Sequence, residues 1–272
     1  MPRQATSRVI MVRPASFGSN PETLESNAFQ SAGSPTGVHD MALAEFLGVV
    51  QALRETGDEV RVEEDECPPC RPDAVFPNNW FSSHEEGTLC LYPMAAPSRM
   101  LERRLEWVDA WKEDFLISRV IDLGEGEQGG VLEGTGSVVL DRFHQLAYAT
   151  LGPRTAPHIF SGVCTALGYQ KILFETVDTT GVPIYHTNVM MSIGSNWAVV
   201  CADCISKGRD EVLASLRAVG RTIIEITFDQ VRHFCGNILE VAGASGPIIV
   251  ASTTAWNGYT DAQRSQFESF AQ

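Results

Sequence analysis

Hydrophobic positions recur at helical spacing in five stretches of the chain. Between Asp40 and Thr56, the residues Leu43, Phe46, Leu47, Val50 and Leu53 form one stripe that stops before Gly57. The stretch Pro97 to Trp111 repeats the pattern with Met100, Leu101 and Leu105, and Ser98 is placed to cap it. Pro157 to Leu167 and Arg209 to Val219 give two more, each followed by glycine, and Asp261 to Phe270 gives the last. Strand-like runs follow every helix but the last, as in Glu59-Val-Arg-Val62 and Thr222-Ile-Ile-Glu-Ile-Thr227. Trp197-Ala-Val-Val200 reads as a buried strand.

The strands and helices fall into a repeat. Four segments begin with a bulky apolar residue, continue with a distinctive one and small polar residues, and run into an apolar strand. They are Phe76-Pro-Asn-Asn-Trp80, Leu132-Glu-Gly-Thr-Gly136, Tyr185-His-Thr-Asn-Val189 and Phe234-Cys-Gly-Asn-Ile238. Their starts are roughly fifty residues apart, the period of a repeat architecture. A weaker fifth copy opens the chain with Val9 to Pro14 followed by Phe17-Gly-Ser-Asn20. One such unit cannot bury its own face. The pattern therefore predicts a single α/β domain over 1–272, with five strand-strand-helix-strand units in a closed repeat fold. An open α/β sheet also alternates strands and helices and is the alternative.

Composition narrows the function. The chain has 272 residues, 44% of them hydrophobic, and a net charge of −14. So acidic a surface repels phosphate backbones, which argues against nucleic acid as a partner. No apolar run reaches the eighteen or so residues of a membrane helix. The first thirteen residues lack the apolar core and small-residue cleavage site of a secretory leader. A cytoplasmic location is expected, and homo-oligomerisation is left open.

Seven cysteines is an odd number, and a chain of this size needs no staples, so reduced thiols are expected. Two Cys-x-x-Cys pairs occur, Cys67-Pro-Pro-Cys70 and Cys201-Ala-Asp-Cys204. A four-thiolate zinc site would need them to meet in space. Small core thiols fit Cys201 and Cys204 better, behind the buried strand. Cys67 and Cys70 lie in a Pro-rich acidic loop with no helix after it, unlike a thioredoxin motif.

If the units circle an axis, their second residues converge: Pro77, Glu133, His186 and Cys235. Thiol, imidazole and carboxylate together are the content of a cysteine-nucleophile site. Singly, each residue is as readily a structural one; the shared register sets them apart.

These starts resemble the guanidino-group-modifying superfamily, the five-bladed α/β propellers (penteins) that include arginine deiminase and dimethylarginine hydrolase. The branch of citrulline-utilising hydrolases is the most similar. The resemblance also takes in Met11-Val-Arg-Pro14, Asn27-Ala-Phe29, Leu91-Tyr-Pro-Met94 and Gly236-Asn-Ile-Leu-Glu240. It implies that His186 matches the family's catalytic histidine and that Glu133 matches its glutamate, with Thr135 inserted and Ser137 where an aspartate would fall. Arg154, in Gly152-Pro-Arg-Thr155, resembles an arginine that holds the substrate's α-carboxylate, for which a planar fork is suited. A solvated loop arginine is the plainer reading.

Two departures bear on the substrate. Where the deiminases grip a cationic guanidinium with carboxylates, this chain has Asn79 and Asn188. An uncharged amide suits a neutral ureido group better, which favours citrulline over arginine; strand-initiating turns are the plainer role for both asparagines. A third departure concerns the nucleophile. The family's cysteine lies near the C-terminus, but Gly246-Pro-Ile-Ile-Val-Ala-Ser-Thr253 contains none. Either Cys235 takes the role, or Ser252 does, or the chain is a non-catalytic binding module. The expected catalyst is a hydrolase of a C–N bond in a ureido or guanidino amino acid, with His186, Cys235 and Glu133 catalytic and Asn79, Asn188 and Arg154 binding substrate. A dimethylarginine or arginine hydrolase or deiminase is the alternative. Neither metal nor organic cofactor is called for.

Overall fold

The computed structural model describes residues 3–24, 27, 30, 33, 35–124 and 129–271. Ala28 and Phe29 of the Asn27-Ala-Phe29 segment lie outside the described residues. The chain packs as two compact units, residues 8–134 and residues 1–7 with 135–272.

In the 8–134 unit, β1 (Arg8–Arg13) and β2 (Glu59–Glu64) pair in parallel, connected through α1 (Val38–Glu55). The helix turns Phe46, Val50 and Leu53 inward, three of the five positions of the sequence stripe, and leaves Leu47 exposed. β3 (Phe81–Ser83) and β4 (Thr88–Leu91) form a hairpin, and β5 (Arg119–Asp122) adds in parallel to β4. Trp80, Phe81, Leu89, Leu91, Val108 and Trp111 make the core, with the Trp80 and Trp111 rings stacked at 5.7 Å. Burying each such side chain contributes about 1.5–3 kcal/mol.

The helix expected over Pro97–Trp111 is two helices, α2 (Pro97–Met100) and α3 (Leu105–Asp114). Arg71 Nε donates to the carbonyl of Leu101 at 2.7 Å, occupying an oxygen that a continuous helix would use. Ser98 is not the cap: Ala96 occupies that position with Pro97 at the first helical residue, and the Ser98 backbone N–H donates to Glu22.

In the other unit a single turn, α4 (Gly134–Ser137), leads into β6 (Val138–Asp141), β7 (Leu146–Leu151), α5 (Pro157–Leu167) and β8 (Gln170–Thr176). Next come β9 (Met191–Ile193), β10 (Trp197–Val200), β11 (Ile205–Lys207), α6 (Arg209–Ala218) and β12 (Thr222–Glu225). The short helix α7 (Phe228–Arg232) precedes β13 (Leu239–Val241), β14 (Ile248–Val250), α8 (Thr253–Gly258) and α9 (Asp261–Glu268). β10 is fully buried, as its unbroken apolar run requires.

Among the described residues the strands form five separate sheets, none of them closed. The strand-strand-helix-strand order is complete in three of them: β3-β4-α2/α3-β5, β6-β7-α5-β8 and β9-β10-α6-β12. In each, the first two strands are antiparallel and the third joins in parallel through the helix. The outer copies are partial: one strand precedes α1, and α8 and α9 follow the β13–β14 hairpin without a closing strand among the described residues.

The expectation of fully reduced cysteines is corrected. Cys67 and Cys70 form a disulfide, with Cα atoms 4.5 Å apart. The Pro-Pro turn holds them inside the range a disulfide needs, and two oxidised sulfurs cannot serve a four-thiolate zinc site. The other five cysteines are outside any disulfide and buried; Cys201 and Cys204 hydrogen-bond to each other, as core thiols.

Candidate active site

Asn79 closes a turn of 3-10 helix, Pro77–Asn79, whose proline pre-sets the backbone and whose following residue, Trp80, anchors it in the core. The side chain is buried beside Glu133, itself fully enclosed. Gly134 makes this approach feasible. Its φ is +42°, and a Cβ there would lie 2.2 Å from the carbonyl oxygen of Asn78. Glu133 Oε1 accepts from the Ala95 N–H at 3.0 Å, and Oε2 lies 3.8 Å from Arg99 Nη1.

Arg99, which the sequence reading passed over, organises this cluster. Its guanidinium is buried and forks onto Glu102, with Nε to Oε1 at 3.0 Å and Nη2 to Oε2 at 2.9 Å. Nη1 donates to Asn79 Oδ1 at 3.0 Å, and Nη2 reaches the carbonyl of Phe76 at 3.4 Å. Asn79 Nδ2 meets the backbone carbonyl of Glu133 at 3.5 Å. Burial pushes the Glu102 carboxyl up to about 7 even with Arg99 opposing it. The sequence signal was the Arg99-x-x-Glu102 spacing, which puts both groups on one side of a helical turn.

His186 precedes the second 3-10 turn, Thr187–Val189. Thr187 fixes that turn: its hydroxyl donates to the carbonyl of Ser137 at 2.6 Å and accepts from the Thr150 N–H at 2.9 Å. The buried imidazole lies 4.6 Å from the Tyr185 ring. The Arg154 guanidinium lies over that Tyr185 ring, 4.7 Å from its centroid. Arg154 is buried, and its carbonyl accepts from the Ser137 hydroxyl at 2.6 Å, so it is not a solvated loop arginine. Arg154 and His186 thus both contact Tyr185.

Asn188 is half-buried, and its carbonyl accepts from Asn237 Nδ2 at 3.0 Å. Gly236 sits so close that a Cβ would lie 2.3 Å from the carbonyl of Val189. The segment starting at Phe234 is therefore laid against the one starting at Tyr185. Phe234 itself has φ +60°, a conformation that costs a non-glycine residue about 1–3 kcal/mol.

Cys235 faces a different environment. Its thiol is fully buried and donates to the carbonyl of Ala255 at 3.3 Å; a Cβ on Gly258 would lie 2.8 Å from Sγ. Tyr259 donates its hydroxyl to the Cys235 carbonyl. Burial first, and Asp229 second, push the thiol up to about 11. Among the described residues no hydrogen bond joins Cys235 to His186. Ser252 is exposed and caps α8, accepting from the Ala255 N–H at 3.0 Å. Gly258 also lines an open cleft of about 500 Å³, together with Asp229, His233, Thr254 and Asn257. His233, also missed in sequence, hydrogen-bonds through Nδ1 to the carbonyl of Asp229 at 2.8 Å.

Solved structures share this architecture. The N-terminal domain of ArgZ bound to product, an arginine dihydrolase from the ornithine-ammonia cycle in cyanobacteria, superposes with a TM-score of 0.75 at 17% identity, covering 97% of this chain and 88% of that one. DDAH from Pseudomonas aeruginosa complexed with citrulline gives 0.63 at 16% identity, covering 94% and 90%. AgrE in binary complex with L-arginine gives 0.76 at 17% identity, and there the chain spans 36% of the relative's length. No curated protein matches the chain. The fold is that of the guanidino-group-modifying superfamily. Within it, the chain belongs to the family of eukaryotic N,N-dimethylarginine dimethylhydrolases, which it matches over residues 13–272. That is a family of hydrolases of the arginine and dimethylarginine dihydrolase type.

Proposed function

We propose that this protein hydrolyses a C–N bond of a ureido amino acid, with citrulline preferred over arginine and methylarginines. The observation that carries the reading is the occupied cation position beside Glu133. Arg99, its fork held by Glu102, already stands 3.8 Å from that buried carboxylate, and the adjacent residue is the uncharged Asn79. A second cation, a substrate guanidinium, would meet an amide and an existing positive charge; a neutral ureido group would not.

In the proposed reaction a nucleophile attacks the ureido carbon, the bond to the ornithine nitrogen breaks, and His186 protonates the leaving amine. A carbamoyl-enzyme remains. Water adds to it as His186 takes the proton, the bond to the nucleophile breaks, and carbamate falls to CO2 and ammonia. Glu133 hydrogen-bonds the substrate nitrogen or orients the imidazole; Asn79 and Asn188 orient the ureido group; Arg154 holds the α-carboxylate. Relatives support covalent chemistry: ArgZ has been captured covalently bound to a reaction intermediate. The nucleophile is Cys235, which must give up its bond to Ala255 and its proton, or Ser252, which must give up its capping bond.

A second reading, a binding module without turnover, is favoured by the enclosed, protonated thiol of Cys235. Ammonia release from a panel of citrulline, arginine, methylarginines and agmatine tests both. Release from citrulline above the others supports the ureido reading; tight binding of citrulline without release supports the module; release from arginine or methylarginines alone overturns the preference.

A further inference from the structure

The amide of Asn79 has two faces, and the buried cation chooses between them. A guanidinium carries five N–H groups and no acceptor, so only the oxygen of an amide can face it. Arg99 cannot turn away, because Nε and Nη2 are committed to the two oxygens of Glu102 and its surroundings exclude water. Nη1 then claims Asn79 Oδ1 at 3.0 Å. A flipped amide would set N–H against N–H in a buried site. With Oδ1 turned toward the buried cation, the end of the amide left for a ligand is Nδ2, which spends one N–H on the carbonyl of Glu133 at 3.5 Å and keeps the other.

We propose that Arg99 is a positioning residue that fixes the polarity of the Asn79 amide, so that the site offers a donor to an oxygen of the substrate and refuses a group made only of N–H. A ureido carbonyl accepts from such an amide; a guanidinium has nothing to accept with. This deepens, and rests on, the ureido reading of the site. Selectivity then comes from the direction of one amide, set by a side chain that need not touch substrate.

The test is the ratio of kcat/KM for citrulline to that for arginine. It is measured in the parent, in Arg99→Met/Glu102→Met, and in both again with Asn79→Ala. The paired change removes the fork together with the carboxylate it grips; Glu133 loses its neighbouring cation in both backgrounds alike, so that loss cancels in the comparison. With Asn79 present, the freed amide can turn its oxygen to a guanidinium, and the ratio should fall on the order of tenfold. With Asn79→Ala the same paired change should leave the ratio within about twofold. A loss of structure lowers both substrates together and does not move the ratio. An unchanged ratio with Asn79 present, or an equal fall in both backgrounds, overturns the proposal. Where the paired variant does not fold, Arg99→Lys, which keeps charge and loses the fork, is read in the same way.

Should the parent turn over neither substrate, the reading of function fails, and the positioning is tested without it. The side-chain amide of Asn79 in 15N-labelled protein is assigned by its absence in Asn79→Ala. Its two N–H resonances should shift and exchange faster in Arg99→Met/Glu102→Met than in the parent. Resonances that stay where they were in a folded variant overturn the proposal.

Discussion

The surroundings of Glu133 and of Cys235 show how differently one repeat position can be used. Both residues stand second in their segments, after a bulky apolar residue, and both are fully enclosed. Around Glu133 the polar groups answer one another: a backbone N–H, a guanidinium, a second carboxylate and an amide, each at hydrogen-bonding or ion-pairing distance. Around Cys235 the neighbours are a backbone carbonyl, a glycine and a tyrosine, with the strained Phe234 just before it. A cation and a backbone donor face the carboxylate at the first place; burial favours the neutral thiol at the second. A shared register decides where a side chain begins; whether it ionises depends on the groups that later packing brings against it.

The widest gap opens in activity. Cys235→Ala should abolish ammonia release from citrulline, by about 10⁴-fold or more, while Ser252→Ala retains most of it. Full activity in Cys235→Ala would make Cys235 as inert as its surroundings suggest and move the nucleophile elsewhere.

Stability should separate the two places next. Arg99→Met alone strands Glu102 and Glu133 as buried carboxylates, a loss of about 3–5 kcal/mol in urea denaturation. Cys235→Ser keeps a donor of similar size for the carbonyl of Ala255 and should cost far less. Equal losses would mean that the charges around Glu133 are screened as surface charges are.

A backbone test is smaller. Gly134→Ala meets the carbonyl of Asn78 in a left-handed conformation and should cost about 1–3 kcal/mol. Gly48→Ala, inside α1 with nothing within 4 Å, should be stabilising by up to about 1 kcal/mol.

The pH response is the finest probe. With its thiol held up near 11 instead of 9, Cys235 favours the protonated folded state. Its contribution to stability is full below about pH 9 and lost as pH rises through about 11. Alkylation of the native protein at Cys235 should therefore climb about tenfold per pH unit from 7 to 10. A plateau near neutrality would reveal a thiolate activated by a base.

Much of the architecture was written in local pattern. Helix α5 has the bounds its apolar stripe gave, α6 differs by one residue at its end, and β10 was plain from its unbroken apolar run. Such features depend on neighbours three or four residues away, which is the range over which a sequence can be read directly. The break between α2 and α3 was not legible, because the oxygen that ends the helix is taken by Arg71, thirty residues earlier. The Cys67–Cys70 disulfide was missed for a related reason: the argument from chain size concerns the need for a staple, and the turn geometry made one without the need.

For the site, the sequence by itself determined the inventory: a glutamate, a histidine and a thiol in register, and asparagines where relatives of this kind would carry acids. Family membership followed from the same segments. The tertiary structure decided what each group can do. It placed Arg154 and His186 against Tyr185, turned the oxygen of Asn79 to Arg99, and closed Cys235 against Ala255. Hydrogen-bond direction and ionisation are set by desolvation and by contacts between residues far apart in the chain. Neither quantity is a property of a residue type, so neither could be read from the order of residues alone.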